Sequence, residues 1–243
     1  MINFFRKLRK KGGTRGKYLK YAIGEVALVV IGILIALSIN NWNEQRKQNK
    51  KEEAILLEVL SDLDENVRLL EEALGDTGNI RRNLNSMYGI SQHLEKQLPW
   101  QDTLAIHFQR IFTYRNVNYK TSGFSSLLSF GTDLISKDSL RQQIGLYYNN
   151  DVPQTRQQLI EVRDDFYNYM LGYMRNDFLS GTEAGKEVLY PVDYRQLLQK
   201  TDFQQSLKIY ASMTKRYIRQ VEKSIRETES LRISIHNYLT KVG

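Results

Sequence analysis

Residues 21–39 read YAIGEVALVVIGILIALSI. These nineteen residues hold one charge, Glu25, and one hydroxyl near the exit, Ser38. At about 1.5 Å of rise per residue, a helix of this length covers roughly 28 Å, close to the hydrocarbon thickness of a bilayer. In lipid every backbone N–H must be bonded within the segment, so a helix is the only form a single span can take. Tyr18 and Tyr21 at one end and Trp42 at the other are the interface residues a span calls for. The exit reads SINNWNEQ, bulky and polar, with no small-residue cleavage site. The stretch therefore reads as an uncleaved signal anchor rather than a signal peptide.

The flanks set the expected orientation. Arg6, Lys7, Arg9, Lys10, Lys11, Arg15, Lys17 and Lys20 precede the span with no acidic residue among them. Beyond it, Arg46, Lys47, Lys50 and Lys51 are interleaved with Glu44, Glu52 and Glu53. An excess of Lys and Arg stays in the cytoplasm, so the C-terminal part is expected outside it. The expected layout is a basic cytoplasmic tail over 1–20, a transmembrane helix over 21–39, a polar stalk over 40–53 and a helical extracytoplasmic domain over 54–243.

Charge argues against nucleic acid. The net charge is +8. Residues 1–40 hold eight Lys/Arg against one Glu, and the rest holds twenty-seven against twenty-six acidic residues. The folded part is thus nearly neutral and carries no basic excess for phosphate. The tail suits the lipid bilayer instead, with Arg6, Lys7, Arg9, Lys10 and Lys11 against headgroups.

The chain has no cysteine, which excludes disulfides, thiol catalysis and cysteine-ligated metals. His93, His107 and His236 have no metal-ligand spacing. No phosphate loop or nucleophile elbow occurs. The expectation is no enzyme, no metal and no cofactor.

Past the polar stalk, Leu56, Leu60, Leu63, Val67, Leu70 and Leu74 recur at helical spacing. Asp62, Asp64, Glu65, Glu71 and Glu72 lie mostly off that stripe. Gly75-Asp76-Thr77-Gly78 is a stop. A second helix carries Ile80, Leu84, Met87, Tyr88, Leu94 and Leu98, and a third pattern after Pro99 holds Leu104, Ile106, Phe108, Ile111 and Phe112. The stretch 114–150 predicts short helices with tight turns at Gly123 and Gly131, and Ser136 as N-cap of a helix through Tyr148. Pro153 opens a long helix from Gln154 to about Leu179, with Leu159, Val162, Phe166, Tyr169, Tyr173 and Phe178 on its apolar face. Residues 180–191 read as a connection, with no strand-like alternation. Thr201 with Gln204 fits a capping box opening a final helix of about forty residues. Its seam is Phe203, Leu207, Tyr210, Thr214, Tyr217, Val221, Thr228, Leu231, Ile235 and Tyr238, diluted by polar residues near Ser224 and Thr228. The expected fold is all-α: one transmembrane helix, then a bundle of long and short helices in which the first and last soluble helices are neighbours.

The block YAIGEVALVVIGILIALSINNWNE, taken with the FFRKLRKK start, resembles a family of uncharacterised bacterial single-span membrane proteins. The stretch TSGFSSLLSFGTDLISKDSLRQQIGLYYNN is similar to that family's second recurrent block, with Gly123-Phe124 where the family pattern has Gly-Asn. The likeness spans most of the chain. It implies an inner-membrane protein with one span and a helical domain, and it implies no activity.

Glu25 is the residue within the span that asks for a role. Its side chain can snorkel to the interface beside Lys17 or Lys20. Alternatively it shares a helix face with Gly32 and Ala36, a small-xxx-small step that permits close helix contact in a homo-oligomer. Three function classes follow: a binding or scaffolding module that meets another envelope protein, an extracytoplasmic sensor, and an ion-coupled subunit of a larger complex using Glu25.

Overall fold

The computed structural model describes residues 2–75, 80–113 and 117–242, with side chains between Ala22 and Lys241 in those ranges. The fold is all-α. Helix α1 is Ile2–Leu74, α2 Ile80–Glu95, α3 Leu104–Ile111, α4 Ser122–Phe130, α5 Asp138–Leu146, α6 Val152–Asp165 and α7 Leu171–Asp177. After two short strands, β1 (Phe178–Glu183) and β2 (Lys186–Pro191), come α8 (Tyr194–Gln199) and α9 (Thr201–Val242). The chain divides into two units, residues 1–52 and 53–243.

In the first unit the side chains from Ala22 to Lys51 lie on an exposed helix. Ile23, Val26, Leu28, Ile31, Leu34 and Leu37 all stand open. Mean hydropathy in the most apolar eighteen-residue window reaches 2.6, and none of that window is buried. Among the described residues one helix is long and apolar enough to cross a membrane, by length and composition.

The second unit is built along α9, whose 42 residues rise about 63 Å. The expected seam is its buried side: Phe203, Leu207, Tyr210, Thr214, Tyr217, Val221, Thr228, Leu231 and Ile235 are all buried. Two lines of helix run antiparallel to it. The first is the part of α1 from residue 53, followed end to end by α2. Arg232 pairs with Asp64 at 3.0 Å, Arg81 with Glu222 at 2.6 Å and Lys208 with Glu95 at 2.5 Å, so rising numbers on one line meet falling numbers on α9. Leu56, Leu63, Val67, Leu70 and Leu74 are buried on this line, with Leu60 half-buried. The first and last soluble helices are therefore neighbours.

The second line is α5, α6 and α7, joined by π turns at Tyr147–Asp151 and Phe166–Met170. Its contacts with α9 also descend: Tyr147 meets Thr228, Thr155 meets Gln220, and Tyr173 meets Ser206. Pro153 stands in the first turn of α6, as expected, but the helical run does not start afresh there. Proline lacks a donor and its ring crowds the carbonyl four residues back. The π turn just before it widens the backbone and carries the helix through, so α6 begins at Val152. The second π turn shifts the buried face by one position: Met170 is buried and Tyr169 is exposed, the reverse of the 3.6-residue expectation. The run ends at Asp177 rather than near Leu179.

Between the two lines the chain returns along α1. Lys120 sits at Asn66, and Gly123 packs on Glu58 and Val59. Gly123 is not a turn but a helical residue of α4, whereas Gly131 does close that helix, with φ of 94°. Ser136 is not an N-cap. Helix α5 starts after Lys137, and the Ser136 hydroxyl instead bonds the Tyr238 hydroxyl at 2.7 Å. Likewise Thr201 is already helical in α9, and the Gln204 side chain donates to the Leu198 carbonyl instead of closing a capping box. Leu74 ends α1, with the Gly75 N–H on the Glu71 carbonyl at 2.7 Å; residues 76–79 of the expected stop lie outside the described residues.

The connection after α7 is a hairpin, which the sequence pattern concealed. Phe178 pairs with Pro191 and Glu183 with Lys186. Its two turn residues, Ala184 and Gly185, both have positive φ, at 48° and 75°. That is the turn geometry whose twist matches a hairpin. Only Phe178 of β1 is buried, so the strand has no alternation to read. Phe178 sits against Phe108, Phe112 and Phe203, which seats the hairpin at the N-terminal end of α9.

Candidate functional site

Two places hold side chains that ask for an explanation. The first is the span face. Seven and four residues apart on one helix, Glu25, Gly32 and Ala36 fall within about 40° of one another around its axis. All three are exposed, and a Cβ added at Gly32 would meet nothing within 4 Å. Beyond the apolar stretch, the Arg46 guanidinium lies over the Trp42 ring at 5.9 Å, and Lys47 pairs with Glu44 at 2.9 Å. Ser38 returns its hydroxyl proton to the Leu34 carbonyl at 2.8 Å, so it presents no free donor to lipid. The side chains of Tyr18, Tyr21, Arg6, Lys7, Arg9, Lys10 and Lys11 lie outside the described residues.

The second place is a buried polar cluster where α1, the return segment, the first π turn and α9 meet. Asp62 belongs to the acidic set that the helical spacing puts mostly off the apolar stripe. It is buried instead, and its carboxylate accepts from the Ser122 hydroxyl at 2.6 Å and the Gly123 N–H at 2.7 Å. It thereby caps α4, a helix start that has no side-chain cap of its own at Thr121. One turn on, Asn66 is 1% exposed, and its amide donates to the Lys120 carbonyl at 3.0 Å and accepts from the Lys120 N–H at 2.7 Å.

The π turn brings two adjacent tyrosines inside together. The Tyr147 hydroxyl bonds Thr228 Oγ1 at 3.0 Å, and Asn66 Nδ2 stands 3.5 Å from it. The Tyr148 ring stacks on Phe124 with centroids 4.4 Å apart. The Tyr148 hydroxyl is buried with no partner among the described residues. Tyr119 reaches Ser224 Oγ at 2.7 Å, and Arg156 lies over its ring at 5.9 Å. The polar dilution of the α9 seam thus has a purpose: Ser224 and Thr228 are fully buried partners of these phenols.

Burial pushes the phenols of Tyr119, Tyr147 and Tyr148 above their ordinary value. They remain neutral hydroxyls at any physiological pH. The cluster therefore acts as a set of fixed hydrogen bonds that locks α4 and the π turn onto α1 and α9. The hydrogen-bonded pairs that join these elements span between 54 and 105 residues, so local spacing does not reveal them. The only local trace is polar residues standing at apolar positions of a helical pattern.

A small cavity of about 20 Å³ lies further along α9, lined by Asn83, Thr113, Thr214 and Tyr217 among others. Thr214 Oγ1 and Tyr217 Oη are buried there without a partner among the described residues. The space matches one water molecule bridging polar groups. His107 and His93 are half-buried or buried and bonded to Ser86 Oγ and the Pro99 carbonyl, each at 2.9 Å. Desolvation, with Arg110 nearby, pushes the His107 pKa down. Among the described residues no group of three His, Asp or Glu side chains gathers for a metal.

A family model described as a family of unknown function, DUF6090, matches residues 25–151. The match covers more than half of the chain. The protein belongs to that family. The DUF6090 match begins at Glu25 inside the apolar stretch and ends at Asp151, the last residue of the first π turn. It therefore includes Asp62, Asn66, Ser122, Gly123, Tyr147 and Tyr148, the side of the cluster that faces α9. No curated protein and no solved structure matches the chain.

Proposed function

We propose that this protein is a single-span anchor of the bacterial inner membrane that carries a helical binding or scaffolding module on the periplasmic side. The observation that carries the reading is the run of open aliphatic side chains from Ile23 to Ile39 on a continuous helix. Aliphatic surface of that length, uncovered on every side, is matched by lipid and by little else. The basic flank supports a cytoplasmic N-terminus. The module works by presenting a surface, not by catalysis, and needs no cofactor. Its polar interior is spent on locking helices together, which suits a rigid display. Its partners are the bilayer and either a second copy or another envelope protein.

A C-terminal fusion to a reporter active only outside the cytoplasm tests the reading. Activity is expected; activity of a cytoplasm-only reporter in that place would reverse the orientation.

The shared face of Glu25, Gly32 and Ala36 favours the homo-oligomer. Small residues let helix backbones approach in lipid, and a carboxyl on the same face can bond across the contact. An in-membrane association assay on the isolated span should show Gly32→Leu weakening association more than Leu34→Ala. Equal weak association of wild type, Gly32→Leu and Glu25→Gln would leave a plain anchor.

A further inference from the structure

Helices α2 and α3 lie antiparallel, and two hydrogen bonds fix their register. Ser86 Oγ stands 2.9 Å from His107 Nδ1, and Asn83 Nδ2 donates to the Thr113 carbonyl at 3.1 Å. Falling numbers on α2 meet rising numbers on α3, which brings Arg82 across from Arg110. Arg82 comes four residues before Ser86 and Arg110 three after His107, so each lies within about 60° of its neighbour around its own helix. Arg82 is exposed, and His107 and Arg110 are half-buried.

No carboxylate among the described residues answers this seam. The Arg110 guanidinium has no hydrogen bond or ion pair among them, and burial together with the nearby Arg82 charge lowers its pKa. Strand β2 also packs on α3 and brings no charge to bear on His107 or Arg110. The Ser86 hydroxyl has one proton, which goes to the Arg82 carbonyl at 3.1 Å. Ser86 Oγ then accepts from His107 Nδ1–H, so Nε2, which bonds no described residue, is the nitrogen left to gain a proton. The bonds suit an imidazolium, while desolvation and the Arg110 charge oppose it. A bound oxyanion removes the opposition.

We propose that Arg82, His107 and Arg110 bind the phosphate group of a small ligand. One guanidinium fork saturates a carboxylate. A phosphate has three free oxygens, one for each group here, and a second negative charge to favour the proton on His107. The ligand is small because the basic cluster is local: residues 41–243 hold twenty-seven Lys/Arg against twenty-six acidic residues, so no basic track leads a polyanion onward. The site lies wholly within the second unit and stands whether or not the span reading holds.

The test follows the three histidines of the full chain, labelled at Cε1, by NMR in maltoside micelles. Inorganic phosphate replaces sodium chloride at constant ionic strength. The His107 pKa should rise, and those of His93 and His236 should stay, which also reports an intact fold. Arg110→Gln should raise the resting His107 pKa by removing a repulsion and abolish the response to phosphate. Arg82→Gln should weaken phosphate about tenfold or more. Arg195→Gln, exposed on α8, should change neither. Short-chain phosphatidylglycerol added without phosphate forms a second arm. A response to phosphate alone assigns a soluble ligand, and a response to the lipid assigns a headgroup; either supports the site. No His107 response in both arms, an equal response to acetate, or one that persists in Arg110→Gln overturns it.

Discussion

The Asn66 side chain pairs with the Lys120 backbone through both of its polar atoms, donating at 3.0 Å and accepting at 2.7 Å. Fifty-four residues apart in sequence, the two fix the return segment against α1. An aspartate of the same shape can only accept, and it would face the Lys120 carbonyl. Asn66→Asp should cost about 2–3 kcal/mol or more, since a buried group loses its partner and gains a charge. Thermal or urea unfolding of the detergent-solubilised chain reads this. Asn85→Asp, on the exposed face of α2, is the control and should change little.

Gly123 and Gly89 should respond to alanine with opposite signs. A Cβ at Gly123 would stand 2.5 Å from the Val59 backbone N and 2.7 Å from the Glu58 carbonyl carbon. Backbone cannot swing aside as a flexible side chain does, so Gly123→Ala should destabilise by about 1–3 kcal/mol. Gly89 lies on α2 with nothing within 4 Å of such a Cβ. There alanine should stabilise by about 0.5–1 kcal/mol through lower backbone entropy in the unfolded chain. Equal effects at both sites in unfolding midpoints would contradict the close α4–α1 contact.

The two adjacent tyrosines of the π turn separate a bonded hydroxyl from an unbonded one. Tyr147→Phe strips Thr228 and Asn66 of a partner and should cost about 1–2 kcal/mol. Tyr148→Phe removes a buried hydroxyl that bonds no described residue, and should be neutral or stabilising. Comparing the two unfolding midpoints checks this; a larger loss at 148 would reverse the assignment.

Asp165 gives a pH dependence. One of its carboxylate oxygens is buried without a partner among the described residues, and burial raises its pKa above 3.8. Below that value the group is protonated in both folded and unfolded chains and costs nothing. As pH rises, the unfolded carboxyl ionises freely while the folded one resists, so stability falls through the raised folded pKa and stays lower at neutral pH. Asp165→Asn should therefore raise Tm at pH 7 and have no such effect below pH 3.8. A melting series across that range decides it, and an equal effect at both ends would mean that ionisation plays no part.

Local sequence was enough wherever one helix meets one apolar stripe. The α9 seam from Phe203 to Ile235 and the α1 stripe from Leu56 to Leu74 are legible because burial there follows the 3.6-residue period, and the run at 21–39 because it is apolar on every face over nineteen residues. The same rule shows why the pattern failed elsewhere. A π turn inserts a residue into the period, so Tyr169 and Met170 exchanged places. At the hairpin, β1 buries one residue, and the Ala184-Gly185 turn lacks the usual Asn-Gly or Asp-Gly marker. The Asp62 cap, the Asn66 pair and the Tyr147–Thr228 bond were decided only by the tertiary structure. Each joins residues whose local sequence gives a polar side chain no partner. Only the folded chain brings those partners within 3 Å and makes burying them cheaper than solvating them.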